Sequence, residues 1–233
     1  FFKELKPSTK LLNNQNPIHQ LIRKLVAQHD YSSVKILVEA ELEKKSNLCS
    51  EELAFLYWHQ GICEWELTKD AFSALNIFEK ALDIPLNSTS TLPISIRNSR
   101  AIIHFNQNNY ALALEEYEHC LELIKQTQDV NTNIIKKVYF GLSRVYLYNG
   151  QYEEALLYCK SAIQMAIQQE SLYLLGELLF QKGRIYIKTN DWYHGKTALN
   201  QAKVIFELEG KVENIKIINN LLNKHKDNEK DIQ

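Results

Sequence analysis

Residues 149–155 read NGQYEEA, and three other stretches of the chain repeat this pattern in altered form. In the strongest copies a short turn precedes an aromatic residue, and a small residue follows three positions later. The related stretches are 69–74 (KDAFSA), 108–113 (NNYALA) and 190–195 (NDWYHG). Their small residues, Ala74, Ala113, Ala155 and Gly195, are separated by steps of 39, 42 and 40 residues. This period is slightly longer than the roughly 34 residues of a tetratricopeptide repeat, and it predicts a helical repeat of that kind.

Each copy continues with one internal spacing. A larger residue follows the small one by four positions, and another small residue comes three positions after that. The four trios are Ala74/Phe78/Ala81, Ala113/Tyr117/Cys120, Ala155/Cys159/Ala162 and Gly195/Leu199/Ala202. Positions i, i+4 and i+7 lie on one face of a helix. Small residues there allow two helices to approach closely, while the larger residue fills the space between them.

We therefore predict an all-α fold, a right-handed superhelix of about five degenerate tetratricopeptide-like helical hairpins plus a C-terminal helix. The expected helices are 17–28, 31–44, 50–67, 71–84, 94–107, 110–127, 131–148, 152–169, 171–188, 192–208 and 211–225. Residues 86–91 form the clearest loop between them. We expect one continuous repeat domain over residues 16–225, followed by a polar, frayed tail over residues 226–233.

Composition narrows the class of protein. A net charge of −1 gives no global basic field that would attract nucleic acid or an anionic membrane, so any DNA contact needs a segment outside this chain. The four cysteines form no CxxC pair and predict buried, reduced thiols in a cytoplasmic protein. The sequence contains neither a signal peptide nor an apolar run approaching about 18 residues, so we expect no membrane partner.

Catalytic or metal chemistry has little support. His59 and Cys63 stand four residues apart on a predicted helix and could form a metal pair. No second pair accompanies them, and packing beside Trp58 and Trp65 is the favoured interpretation. The chain contains no GxGxxG, P-loop, HExxH or GxSxG motif. We predict no catalytic residue, no metal and no cofactor, and a protein that is not an enzyme.

The first helix of each pair in such a superhelix lines its concave face. The register places on that face Asn98, Ile102, Phe105, Phe140, Arg144, Tyr148, Glu177, Phe180, Gln181 and Arg184. We predict that this groove binds an extended peptide. Arg144 and Arg184 would bind carboxylates by charge-assisted hydrogen bonds, and the apolar neighbours would contact side chains. Alternatively, both arginines pair with Glu177 or other acids and only keep the groove soluble.

From about Ile18 onward the chain resembles the PlcR-type peptide-sensing transcription regulators of Gram-positive bacteria. The residues that carry the resemblance are His29-Asp30-Tyr31, Tyr57-Trp58, 96–101 (IRNSRA), 150–156 (GQYEEAL) and 175–183 (LGELLFQKG). The resemblance implies that Asn98 and Gln181 contact a peptide. A second asparagine of the family is replaced here by Gly141, and basic residues of its first helix are replaced by Ala27 and His29.

The resemblance also implies a function. In that family a helix-turn-helix domain, which this chain does not include, precedes five degenerate repeats, and residues 1–15 are then its end or the linker from it. We expect a cytoplasmic homodimer that binds a short signalling peptide in the concave groove and switches DNA binding by a dimer rearrangement. The alternative is a generic tetratricopeptide scaffold for protein–protein interaction, without a transcriptional role.

Overall fold

The computed structural model describes residues 16–44 and 47–230, with side chains through residue 223. Every regular element of these residues is helical, and none is a strand. The helices are α1 (Pro17–Ala27), α2 (Tyr31–Leu42), α3 (Ser50–Thr68), α4 (Ala71–Leu82), α5 (Leu92–Asn106), α6 (Tyr110–Gln126), α7 (Thr132–Tyr148), α8 (Tyr152–Gln168), α9 (Leu175–Lys188), α10 (Trp192–Leu208) and α11 (Val212–Lys230). No helix in this described part is long and apolar enough to span a membrane.

The helices pair along the chain as antiparallel hairpins, which confirms the predicted all-α, tetratricopeptide-like class. Two compact units divide the chain, Phe1–Asn87 and Ser88–Gln233, and the division falls in the predicted loop at residues 86–91. In the first unit α1, α2, α3 and α4 pack in succession. In the second unit α5 packs with α6, α7 with α8, and α9 with α10, while α11 packs on α10.

The expected helix boundaries agree with the structure to within a few residues at most ends. The largest difference at a helix start is at α9, which begins at Leu175 and not at residue 171. Leu174 adopts a left-handed backbone with φ of 65°, so the preceding residues form a turn and the helix starts after it. At the other end, α11 continues to Lys230, into the stretch 226–233 that was expected to fray. Residues 1–15 lie outside the described part, and the predicted domain limits stay predictions.

The turn inside each hairpin explains the repeated sequence pattern. Two positions before each second helix, the backbone is left-handed, with φ between 59° and 77°. The residues are His29, Lys69, Asn108, Gly150 and Asn190. Glycine adopts this conformation without a steric cost, and asparagine tolerates it better than most residues. Three of the second helices then begin at an aspartate cap, where Asp30 accepts from the N–H of Ser33, Asp70 from that of Ser73 and Asp191 from that of His194.

The core of each hairpin is built from the predicted trios, and all twelve of their residues are buried. The backbones of α9 and α10 approach each other closely where Gly183 faces Gly195. A Cβ atom added at Gly183 would lie 2.8 Å from Leu199 and 3.2 Å from the carbonyl oxygen of Gly195. Small residues therefore set the separation of the paired helices, as the spacing predicted.

We expect Ala155→Leu to destabilise the fold, because Ala155 is fully buried in α8 and the extra atoms have no space. Overpacking of this kind costs about 1–3 kcal/mol of unfolding free energy. Ala111→Leu is a matched control, since Ala111 is exposed near the start of α6. Urea denaturation of both variants measures the difference, and equal stabilities would show that the repeat register is wrong.

The cysteines are free thiols, and three of the four are buried, as predicted. Cys49 is the exception, because it lies exposed just before α3. The buried thiols donate to backbone carbonyls, Cys120 to Ile94 and Cys159 to Leu178. Burial raises the pKa of Cys63, of Cys120 and of Cys159 to about 12.

Thiol labelling at pH 8 therefore distinguishes Cys49 from the other three cysteines. A thiol whose pKa is about 12 is almost entirely protonated at that pH, and only the thiolate reacts. We expect a maleimide to modify Cys49 alone in the folded chain and all four cysteines in denaturant. Mass spectrometry counts the adducts, and rapid labelling of Cys120 under native conditions would contradict the buried hairpin core.

Candidate functional site

The first helices of successive hairpins in the second unit lie next to one another. Besides its hairpin partner α8, α7 packs against α5 and α6 of the preceding hairpin and against α9 of the following one. These three helices present one surface, which we call the inner-helix face. The three helices contain the ten residues that the register predicts for the concave face, Asn98, Ile102, Phe105, Phe140, Arg144, Tyr148, Glu177, Phe180, Gln181 and Arg184.

Arg144 is the centre of a cation–aromatic cluster on this face. Its guanidinium lies 4.0 Å from the ring centroid of Phe105 on α5 and 5.7 Å from that of Phe140 on α7. A guanidinium over an aromatic face gains roughly 0.5–2 kcal/mol, more when water is excluded. Burial lowers the pKa of Arg144, and the nearby positive charge of Arg184 acts in the same direction.

Tyr148 joins the second arginine to this cluster. Its ring meets Phe105 edge-on at 5.1 Å and stacks on Tyr110 at 5.2 Å between centroids. Arg184 on α9 donates to the Tyr148 hydroxyl at 3.3 Å, and its guanidinium lies 5.6 Å from the same ring. Side chains from α5, α6, α7 and α9 therefore meet in one cluster, which includes the predicted peptide-contact residues Phe105, Arg144, Tyr148 and Arg184.

Neither arginine has a carboxylate partner among the described residues. Glu177, which could have neutralised them, accepts instead from the ammonium of Lys211, and its second oxygen is buried without a hydrogen bond. The alternative in which Glu177 pairs with Arg144 or Arg184 is therefore wrong. Two neighbouring guanidinium groups remain available for an external anion.

Gln181 lies beneath Arg184 and not at the surface, with only 1% of its area exposed. Its amide donates to the backbone oxygen of Ser143 at 3.1 Å, which links α9 to α7. Its own oxygen accepts from Arg184 at 3.4 Å. In this arrangement Gln181 orients Arg184, and a contact between Gln181 and a ligand stays a prediction.

Asn98 has the opposite character, because its polar group is not fully used. It is 8% exposed, and its side-chain oxygen has no hydrogen-bond partner in the described part of the chain. The helix around it is held to α6 by a partly buried triad, in which Glu116 contacts Arg97 at 3.0 Å and Arg100 at 2.8 Å. A fixed, unpaired amide oxygen is suited to accept from a peptide N–H. Ile102, one turn further along α5, is half-buried.

Gly141 leaves room for a residue from the neighbouring hairpin. The ring and hydroxyl of Tyr117 on α6 occupy the space that a side chain at position 141 would need. Tyr117 is 1% exposed and belongs to a repeat trio. The asparagine that the resemblance places at this position therefore cannot be accommodated while Tyr117 keeps its conformation.

Two residues of this surface were not predicted as site residues. Tyr110, at the start of the neighbouring helix α6, is half-buried and stacks on Tyr148, although the sequence pattern marked it only as the aromatic residue that follows a turn. Lys136 is fully buried on α7, and its position four residues before Phe140 is the signal that could have shown it.

The possible metal pair serves another purpose. The His59 ring donates through Nδ1 to the carbonyl oxygen of Phe55 at 2.8 Å, and Cys63 donates to that of Tyr31 at 3.5 Å. No group of three or more metal-ligating side chains occurs among residues with described positions.

We expect Gln181→Leu to lower stability by roughly 1 kcal/mol, because it removes the hydrogen bonds that join α9 to Ser143 and to Arg184. Gln164→Leu is a suitable control, since Gln164 is exposed on α8. Thermal unfolding of both variants gives the comparison. A control that is as unstable as Gln181→Leu would show that the buried bridge contributes nothing.

The fold and the face define a class, that of tetratricopeptide-like repeat domains whose inner helices carry a cationic and aromatic binding surface. Residues 19–229 match the RNPP family C-terminal domain. The chain belongs to the RNPP family. A comparison with curated protein sequences gives no match.

Solved structures show the same fold at low sequence identity. The crystal structure of Bacillus thuringiensis PlcR in complex with the peptide PapR7 and DNA is 21% identical, with a TM-score of 0.76 over 86% of this chain and 72% of that one. The crystal structure of the apo form of PlcR is 22% identical, with a TM-score of 0.78 over 87% of this chain and 76% of that one. BtubC from P. vanneervenii is 18% identical, with a TM-score of 0.67 over 83% of this chain and 80% of that one.

Proposed function

We propose that this chain is the sensor domain of a peptide-responsive transcription regulator. A short signalling peptide binds to the inner-helix face, and the protein acts as a cytoplasmic homodimer that reaches DNA through a helix-turn-helix domain outside this chain. Membership of the RNPP family supports the proposal. So does the likeness in fold to PlcR, which was crystallised with a peptide and DNA.

The observation that carries the proposal is the pair of guanidinium groups without a carboxylate partner. Arg144 and Arg184 are held in place by aromatic rings and by Gln181, so their orientation is fixed before any ligand arrives. An acidic side chain or a terminal carboxylate would form charge-assisted hydrogen bonds with them. The unpaired oxygen of Asn98 adds an acceptor for a peptide N–H on the same face.

Switching requires that the peptide binds one arrangement of the helices better than another. The contacts across α7 and α9 are the candidates, because Arg184 bonds to Tyr148 and Gln181 bonds to Ser143. A carboxylate that draws Arg184 away from Tyr148 would change how α9 lies against α7. Because the same side chains would bind the peptide and hold α9 against α7, peptide binding would shift the hairpins and so rearrange the dimer.

The generic scaffold remains the alternative function, and the two differ in a measurable way. A sensor binds a free short peptide and changes its dimer arrangement, whereas a scaffold holds the tail of a folded partner without such a change. Small-angle X-ray scattering of the protein with and without peptide distinguishes them. A scattering profile that is identical with saturating peptide would favour the scaffold.

We expect Arg184→Ala to weaken binding of the cognate peptide at least tenfold, or about 1.4 kcal/mol, because the variant loses one of two carboxylate donors. Lys188→Ala is the matched control, since Lys188 is an exposed cation one turn further along α9. Short peptides encoded beside the gene serve as ligands, and calorimetry measures the affinity. Unchanged affinity of Arg184→Ala would remove Arg184 from the site.

A further inference from the structure

One row of α7 alternates cations and aromatic rings. Lys136, Phe140, Arg144 and Tyr148 follow one another at intervals of four residues, so they lie along one side of the helix. Phe140, Arg144 and Tyr148 belong to the inner-helix face. Lys136 begins the same row, at the end of α7 opposite to the arginine cluster.

Lys136 is unusual because its ammonium group is buried without an acceptor. None of its surface is exposed, and Nζ has no hydrogen-bond partner among the residues that the structure describes. The ammonium lies over the ring of Tyr173, at 5.3 Å from the centroid. An unpaired buried charge is costly, since the ring replaces only part of the lost hydration.

The ring that lies beside this ammonium belongs to a turn. Tyr173 is 41% exposed and lies in the turn between α8 and α9, next to the left-handed Leu174. Lys137 approaches the same ring at 5.9 Å and is itself exposed. Two cations therefore meet one half-exposed ring, and no ion pair to a described carboxylate involves either of them. An anion that moves the ring aside would reach Nζ of Lys136.

We propose that Lys136 is a second carboxylate-binding residue of the inner-helix face, and that the ligand is an extended peptide with two anionic groups. This inference rests on the proposed function. Lys136 and Arg144 are eight residues apart, which is about 12 Å along a helix. An extended peptide rises about 3.3 Å per residue, so its two anionic groups lie three or four positions apart. One binds at Arg144 and Arg184, and the other at Lys136.

The first test needs no ligand. Lys136→Met keeps an unbranched side chain of similar length but removes the unpaired charge, so we expect the melting temperature of the 233-residue chain to rise by about 2–4 °C. Lys137→Met removes the same charge from an exposed position and should leave the melting temperature nearly unchanged. A lower melting temperature for Lys136→Met would show that the lysine is held by stabilising contacts of its own, and the inference would be wrong.

The second test selects ligands from a library of random short peptides. Immobilised wild type, Lys136→Met and Lys137→Met are exposed to the same library, and mass spectrometry identifies the bound peptides. We expect wild type and Lys137→Met to select two acidic groups three or four positions apart, counting the terminal carboxylate. The peptides that Lys136→Met selects should share only one acidic position, without the second. For a selected peptide, Lys136→Met should weaken binding at least tenfold. When the acidic residue that binds Lys136 is replaced by its amide, Lys136→Met should no longer weaken binding.

The outcomes separate this inference from the proposed function. If wild type selects peptides with no second acid, or if Lys136→Met selects the same peptides as wild type, Lys136 is not a carboxylate site, while peptide binding stands. If wild type retains no peptide from the library, the proposed function fails and this inference fails with it.

Discussion

Close contact between paired helices is the constraint on which the rest of this structure depends. Alanine, glycine and cysteine at the trio positions let the helices of a hairpin approach until Gly183 faces Gly195, while residues such as Phe78 and Leu199 fill the remaining space. The same packing determines which side chains of one hairpin contact the following hairpin. Tyr117 extends from α6 to the position of Gly141 on α7, so a core residue shapes the binding face.

The unpaired cations of the inner-helix face lower the stability of the fold. Arg144, Arg184 and Lys136 lie close to aromatic rings and lack carboxylate partners in the described structure, although acids such as Glu177 are near in sequence. Cation–π contacts contribute only about 0.5–2 kcal/mol each, and burying an unpaired charge costs several kcal/mol. A protein that needed stability alone would place apolar residues there. Cations held without partners are suited to a ligand that brings the missing anions.

The low identity to PlcR and the close agreement in fold have one explanation. A TM-score of 0.76 at 21% identity is possible because the hairpin needs only small residues, large residues and a turn at fixed spacing. The exposed positions of α5, α7 and α9 carry no such requirement, so they are free to differ between members.

The sequence by itself determined the class, the order of hairpins and the buried trios, because these depend on spacing within about two helical turns. It also predicted which side chains share the first helices of successive hairpins, since a repeat register carries over from one hairpin to the next. Only the tertiary structure decided how those side chains are used. Gln181 is buried and donates to Ser143, Glu177 accepts from Lys211, and Lys136 is buried beside Tyr173. Each outcome depends on contacts between residues that are distant in sequence, and no local spacing determines which partner such a side chain meets.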